Sequence, residues 1–270
     1  SVAVTGVQTC ALPISLFNSL TGLNQKTGNF PGVTMEKHTG IWELEPKKPV
    51  EILDLPGIYS IYPKSIDEEL VINILGDPSH PDFPDMAIVV ADASNLKRNL
   101  LLFSQVRDLG IPTVLALNMI DVAENEGYVI NSIKLARELN VEVAEVNAKK
   151  GIGLNGLKLA VVKTLANRYA SNDALPLPVS EDVIQEVQAK FGEGEMYRSL
   201  LWLMEHDRMK MFTKQQRETF DAIQNKHHFS SKKYQSEETV KRYEQITEVV
   251  DRCVINLNRQ WDAVPVRTWT

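Results

Sequence analysis

Two short runs constrain what this chain can fold into. Met86-Ala87-Ile88-Val89-Val90-Ala91 and Val114-Leu115-Ala116-Leu117 are apolar at every position. Runs of this length read as strands covered on both faces, and such strands belong to parallel sheets packed between helices. The segments around them alternate accordingly. Val50–Leu53 reads as a short strand, Leu70–Leu75 as a helical turn and Asp85–Ala91 as a strand. Leu96–Leu109 has helical spacing and stops at Gly110-Ile111-Pro112. Thr113–Leu117 is a strand, Ser132–Leu139 a helix, Val141–Val146 a strand and Leu154–Tyr169 a long helix. Earlier, Ser15–Gly22 reads as a helix closed by its glycine, and Asn24–Gly40 as polar and turn-rich. The expectation is an α/β fold: an open, mostly parallel sheet with helices on both faces.

After Tyr169 the pattern changes. Residues 171–180 contain two prolines and read as a linker. Beyond them helical periodicity predicts Glu181–Phe191, Glu195–Glu205, Lys214–Lys226 and Glu237–Asn258, with no strand, as a small all-α domain over 181–260. Lys226-His227-His228 and Ser230-Ser231-Lys232-Lys233 read as a solvated connector. The net charge of −6 over 270 residues argues against a nucleic-acid partner. Cys10 and Cys253 lack disulfide or metal-ligand spacing, which points to a reducing cytosolic setting. No apolar run is long enough to span a bilayer and no signal peptide is evident, so a soluble chain is expected.

Chemistry concentrates where strands end, which is where such sheets bind ligands. Asn118-Met119-Ile120-Asp121 follows one strand and matches an N-K-x-D guanine-reading motif with Met in place of Lys. The Asp121 carboxylate can accept from N1–H and the exocyclic amine of guanine, a donor pair that adenine lacks. Asn118 would orient this loop. Asn147-Ala148-Lys149 follows the next strand, where the Ala148 amide could donate to guanine O6 and Lys149 lie over the base. Asp54-Leu55-Pro56-Gly57 reads as the D-x-x-G turn, with Asp54 holding Mg²⁺ through water and the Gly57 amide meeting a γ-phosphate. In Asn29-Phe30-Pro31-Gly32-Val33-Thr34, Gly32, Val33 and Thr34 form the other switch, and the Thr34 hydroxyl would bind Mg²⁺ when GTP is present. Taken singly, each of these is more often an ordinary turn. Their order after consecutive strands points to a P-loop-GTPase-like domain. Val33, Ile58 and Met119 read as packing residues within it. Ile58 stands where many GTPases carry a water-orienting Gln, so no catalytic residue is assigned and hydrolysis is expected to be slow.

These segments, with Leu16-Phe17-Asn18-Ser19-Leu20-Thr21-Gly22, Gln25–Thr34 and Asp54–Ser60, closely resemble the cytosolic N-terminal region of the bacterial ferrous-iron transporter family FeoB over roughly residues 15–260. The resemblance implies a GTP-binding (G) domain over 15–170, binding GTP/GDP, Mg²⁺ and, in the family, K⁺. It implies a helical domain that slows nucleotide release. It further implies coupling of GTP hydrolysis to Fe²⁺ uptake through a membrane-embedded domain of the same protein, at the cytoplasmic face of the inner membrane. Small cytosolic Feo proteins are implied as partners.

One departure is large. The family carries G-N-x-N-S-G-K-[ST]-[ST] before Leu16. In a gapless register Val7, Leu12, Pro13 and Ile14 fall on its two glycines, its lysine and its Mg²⁺-binding hydroxyl. A phosphate loop needs successive N–H groups and a lysine charge; Pro13 removes an N–H and Ile14 has no oxygen. Residues 1–14 fit nothing else, and Val4–Ile14 resembles the translation of a sequencing-library primer, a foreign insertion. Residues 261–270 read as an aberrant or truncated tail. Two other readings stand beside the iron-transport module. One is a nucleotide-deficient pseudo-GTPase that only docks partners. The other is a ribosome- or tRNA-associated GTPase, which the acidic helical half disfavours.

Overall fold

A computed structural model of the chain describes residues 1–6, 12–22, 25–30, 35–167, 180–192 and 194–257. Seven strands form one sheet. In chain order they are β1 (Val2–Gly6), β2 (Gln25–Asn29), β3 (Glu36–Glu45), β4 (Lys48–Asp54), β5 (Met86–Asp92), β6 (Thr113–Asn118) and, after a separate short strand β7 (Tyr128–Ile130), β8 (Val143–Glu145). Their spatial order is β2-β3-β4-β1-β5-β6-β8. Only β3 runs antiparallel to its neighbours. β5 and β6 are buried at every residue, as their uninterrupted apolar runs require.

The helices are α1 (Leu12–Thr21), α2 (Ile66–Leu75), α3 (Leu96–Asp108), α4 (Ile120–Asn125), α5 (Ser132–Leu139), α6 (Leu154–Asn167), α7 (Glu181–Phe191), α8 (Met196–Glu205), α9 (Lys214–Lys226) and α10 (Ser231–Cys253). One apolar layer joins α1 and α6 to one face of the sheet through Leu16, Phe17, Ile88, Val90, Leu157 and Val161. The opposite face packs on α2, α3, α8 and α10 through Leu53, Val89, Val71, Phe103, Leu200 and Ile246. A third cluster, including Val187, Trp202, Phe212 and Phe220, sits within the C-terminal helices.

Five expectations need correction. Residues 1–14 do not all fall outside the fold: β1 is a central strand, with Val2 and Ala3 buried and in register with Ile52 and Leu53 of β4 and with Met86 and Ala87 of β5. Ladder bonds come from the backbone, so a short β-compatible run suffices. Residues 24–40 are not simply turns, because β2 and the first half of β3 lie there. β2 is an edge strand, exposed along the residues described, and so carries no apolar signal. Residues 66–75 form a full helix capped by the Ser65 side chain. α10 begins at Ser231, so Ser231–Lys233 is its first turn, capped by Ser230, rather than a loop. It ends at Cys253, and Val254–Asn256 leaves it as a ninth strand, β9, pairing antiparallel with β7. The 171–179 stretch and the 261–270 tail lie outside the described residues.

A buried polar network joins the C-terminal helices to the sheet side. Tyr62 donates to Glu238 Oε2 at 2.8 Å, and its hydroxyl lies 3.1 Å from that of Tyr197. Arg242, fully buried, bonds Glu238 through Nε. It places a terminal nitrogen 2.7 Å from Asp108 Oδ2, an ion pair without hydrogen-bond geometry, and lies over the Tyr197 ring. Gln105 Oε1 accepts from Ser60 Oγ and from the Ile61 amide. Removing one member of a buried charge pair costs more than removing one neutral hydrogen bond. Urea denaturation of Arg242→Ala should show a loss of about 3–5 kcal/mol and of Tyr62→Phe about 1 kcal/mol. Equal small losses would show that no buried charge is being compensated.

Candidate functional site

The parallel register brings the sequence-predicted residues to one edge. Asp54 ends β4, Gly6 ends β1 and Asn118 ends β6, all at the carboxyl ends of parallel strands. Between β4 and β6 lie three strand spacings, about 14 Å. The connection from Gly6 to Leu12 leaves from the same edge, and residues 7–11 lie outside the described residues. So do Gly32, Val33 and Thr34, between Phe30, which is buried, and Met35.

Asp54 is cross-strand from His38. Its Oδ1 is buried and without a hydrogen-bond partner among the described residues. Burial pushes the carboxyl from its ordinary value of 3.8 up to about 6, and the His38 charge only partly offsets this. Leu55 and Ile58 are buried in the core and act as packing, while Pro56 and Gly57 are half-buried beside them. An orphaned buried carboxylate oxygen fits a cation-binding role. Among the described residues no cluster of three His, Cys, Asp or Glu could hold a metal alone. A cation here would therefore take its other oxygens from a ligand, as Mg²⁺ does with phosphates.

The base-reading segments meet directly. Asn118 is buried, and its Oδ1 accepts from the Ala148 amide at 3.2 Å. Ser19 Oγ of α1 donates to the Ala148 carbonyl at 2.6 Å. The Ala148 amide, which the sequence reading offered to guanine O6, donates here to Asn118 and ties the two segments together. Asp121, in the first turn of α4, accepts from Asn147 Nδ2 and from Lys150 Nζ, each at 3.3 Å. Lys150 thus takes the charged contact with Asp121, and Lys149 is exposed. Gly151 and Gly153, at φ +67° and +83°, shape the turn here, and a Cβ on Gly153 would meet the Glu145 carbonyl at 2.0 Å.

Met119 stands at φ +62°, ψ +34°, a left-handed backbone that costs a non-glycine residue about 1–2 kcal/mol. The exposed Asp121–Lys150 pair returns less than about 1 kcal/mol. The partial burial of Met119 against the Leu16–Phe17 layer supplies the rest of its anchorage. The loop therefore holds Asp121 half-exposed and pointed by two donors, with strain in the residue before α4.

Comparison with known proteins agrees with this geometry. The family model described as "Ferrous iron transport protein B" matches residues 1–161, a span that includes the stretch read as foreign. An Fe(2+) transporter FeoB of Leptospira biflexa is 41% identical over 149 residues, covering 55% of this chain and 21% of that protein. The Legionella pneumophila (strain Paris) counterpart is 39% identical over 173 residues, covering 63% and 22%. The chain thus spans about a fifth of the length of these curated relatives. The cytosolic domain of L. pneumophila FeoB superposes with a TM-score of 0.77 at 30% identity, over 94% of this chain and all of that one. A GDP-bound point mutant of the S. thermophilus FeoB G-domain gives 0.70 at 30% identity, over 94% and 99%.

The buried Asp54 charge has a measurable consequence. A carboxyl whose pKa rises on folding takes up a proton in the fold between pH 3.8 and about 6, so stability falls as pH rises through that window and is flat above it. Asp54→Asn should remove this slope and raise the stability of the ligand-free chain at pH 7 by on the order of 2 kcal/mol. Denaturation midpoints at pH 4.5 and 7 check it; an unchanged slope would show that Asp54 is solvated.

Proposed function

The chain belongs to the ferrous iron transport protein B family, and from that premise we propose that it is the cytosolic GTP-binding module of a bacterial Fe²⁺ transporter. The observation that carries this is the joining of Asn118, Asp121, Asn147 and Ala148 by hydrogen bonds on the sheet edge that Asp54 shares. In this reading Asp121 accepts the donor edge of guanine, and Asn118 and Asn147 hold it in place. Asp54, with Thr34, would hold Mg²⁺, which when bound neutralises phosphate charge. Gly57 and the Gly32–Thr34 stretch would sense the γ-phosphate. K⁺ would join through the phosphate loop, where this chain lacks the asparagine.

Residues 15–170 form the G domain in this proposal, 171–180 a linker and 181–260 the helical domain. The full protein works at the cytoplasmic face of the inner membrane, with a membrane-embedded domain and small Feo proteins as partners. None of the described helices is long and apolar enough to cross a membrane. GTP hydrolysis is the reaction the family implies, and it is slow here because Ile58 is a buried hydrocarbon in place of a water-orienting amide.

We further propose that the chain as it stands grips nucleotide poorly, because Pro13 and Ile14 stand where the lysine and the hydroxyl belong. This favours the nucleotide-deficient reading for this particular chain and supports a foreign origin for Val4–Ile14. Re-reading the gene from unamplified DNA tests that origin, and the same codons there would overturn it. Titration with a fluorescent GTP analogue should show no binding at micromolar concentration. Replacing residues 7–14 by G-N-P-N-S-G-K-T should restore binding and a preference for GTP over ATP, and Asp121→Ala should then cut that preference about tenfold to a hundredfold. Micromolar binding by the unrepaired chain, or a repaired chain that prefers ATP, would contradict the proposal.

A further inference from the structure

We propose that the β7–β9 ribbon is a latch through which the base-reading loop, rather than the D-L-P-G turn, controls the order of the segment leaving α10. The proposal deepens the reading of Asp121 given above. Asp121 lies in the first turn of α4, and α4 runs through Gly127 straight into β7. β7 pairs with β9 over Tyr128–Asn256, Val129–Ile255 and Ile130–Val254. The ladder extends one bond beyond each end: Leu257 donates to the Gly127 carbonyl and Asn131 to the Cys253 carbonyl. That alternation makes Val129 and Ile255 the pair exchanging both bonds.

Both halves of this link are weak alone. A two-stranded ribbon of three residues a side does not stand by itself in water, and its central pair, Val129 and Ile255, is exposed. α4 has six residues, too few to be stable without anchorage. Its N-terminal anchor is the strained Met119 and the exposed contacts of Asp121 with Asn147 and Lys150. Elements of this kind open locally before the core does. The ribbon is also held by Ile130 and Val254, partly buried against the main core beside Cys253, and by two ion pairs next to it, Arg252 with Glu138 of α5 at 2.8 Å and Asp251 with Lys97 at 3.2 Å. The switch-side contact, Tyr62 with Glu238, joins α10 fifteen residues before Cys253, about 22 Å along the helix. The exit is therefore fastened to the base-reading side. A guanine held by Asp121 would add bonds to the weak anchor and tighten the ribbon, and by linkage a tightened ribbon would favour the base.

Amide hydrogen exchange followed by NMR on the full, nucleotide-free chain tests this. Asp121→Asn, and Lys150→Ala as a surface change that cannot unfold the core, should speed exchange of the Asn131, Ile255 and Leu257 amides. The expected rise is at least about tenfold, with Glu238–Ile246 unchanged. Tyr62→Phe should leave Ile255 and Leu257 unchanged. A rise in either loop variant without one in Tyr62→Phe supports the latch. Unchanged rates in both loop variants, or an equal rise in Tyr62→Phe, overturns it. No nucleotide enters the experiment, so failure of the latch and failure of the GTP-binding reading are distinguishable.

Discussion

The parallel pairing of β1 between β4 and β5 is the constraint on which the rest depends. It spans three residues against β4 and five against β5, and among the described strands β1 alone lies between the strand that ends at Asp54 and the strands that end at Asp92 and Asn118. Its register sets all these ends on one edge, the edge at which the proposed function places both a base and its phosphates. The layers of α1 and α6 on one face, and of α2, α3, α8 and α10 on the other, follow from covering both sides of that sheet.

Within this frame the strained features gather at the edge. Asp54 keeps a buried oxygen without a partner among the described residues, and Met119 keeps a left-handed backbone. Neither helps the ligand-free fold. Both make sense as parts of a surface completed by a bound nucleotide and its cation, since local rules tend to break where a fold does chemistry. The buried Tyr62–Glu238–Arg242–Asp108 network is of another kind. Its charges are compensated, and it fixes the C-terminal helices against the segment that follows the D-L-P-G turn.

Much of this was legible in the sequence, for reasons that also explain what was not. β5 and β6 are apolar throughout because both faces are covered, and α3, α7 and α9 carry clear periodicity. β2 gave no signal because an edge strand in contact with water needs no apolar face. β1 was hidden because its last three residues, Val4–Gly6, belong to the stretch read as foreign, although Val2 and Ala3 already satisfied the core. The start of α10 was masked by its lysine-rich, solvated first turn, whose cue was the Ser230 cap. β9 has three residues and depends on a partner more than 120 positions away, which no local pattern reveals. At the site, the positions of Asn118, Asp121 and Asn147 beyond the strand ends were legible in the sequence pattern. The engagement of the Ala148 amide and the contact of Lys150 with Asp121 depend on a turn built around Gly151 and Gly153.

The central proposal is that this chain keeps the residues that would read a base, and the Asp54 turn, while lacking a grip on phosphate. The most direct measurement is the ratio of its affinities for GDP and for guanosine, taken by NMR titration of the Asp121, Asn147 and Lys150 amides. A chain that reads the base without holding phosphate should bind the two about equally and weakly, in the millimolar range, about −4 kcal/mol. GDP binding a hundredfold tighter than guanosine, about 3 kcal/mol of phosphate contact, would contradict the account.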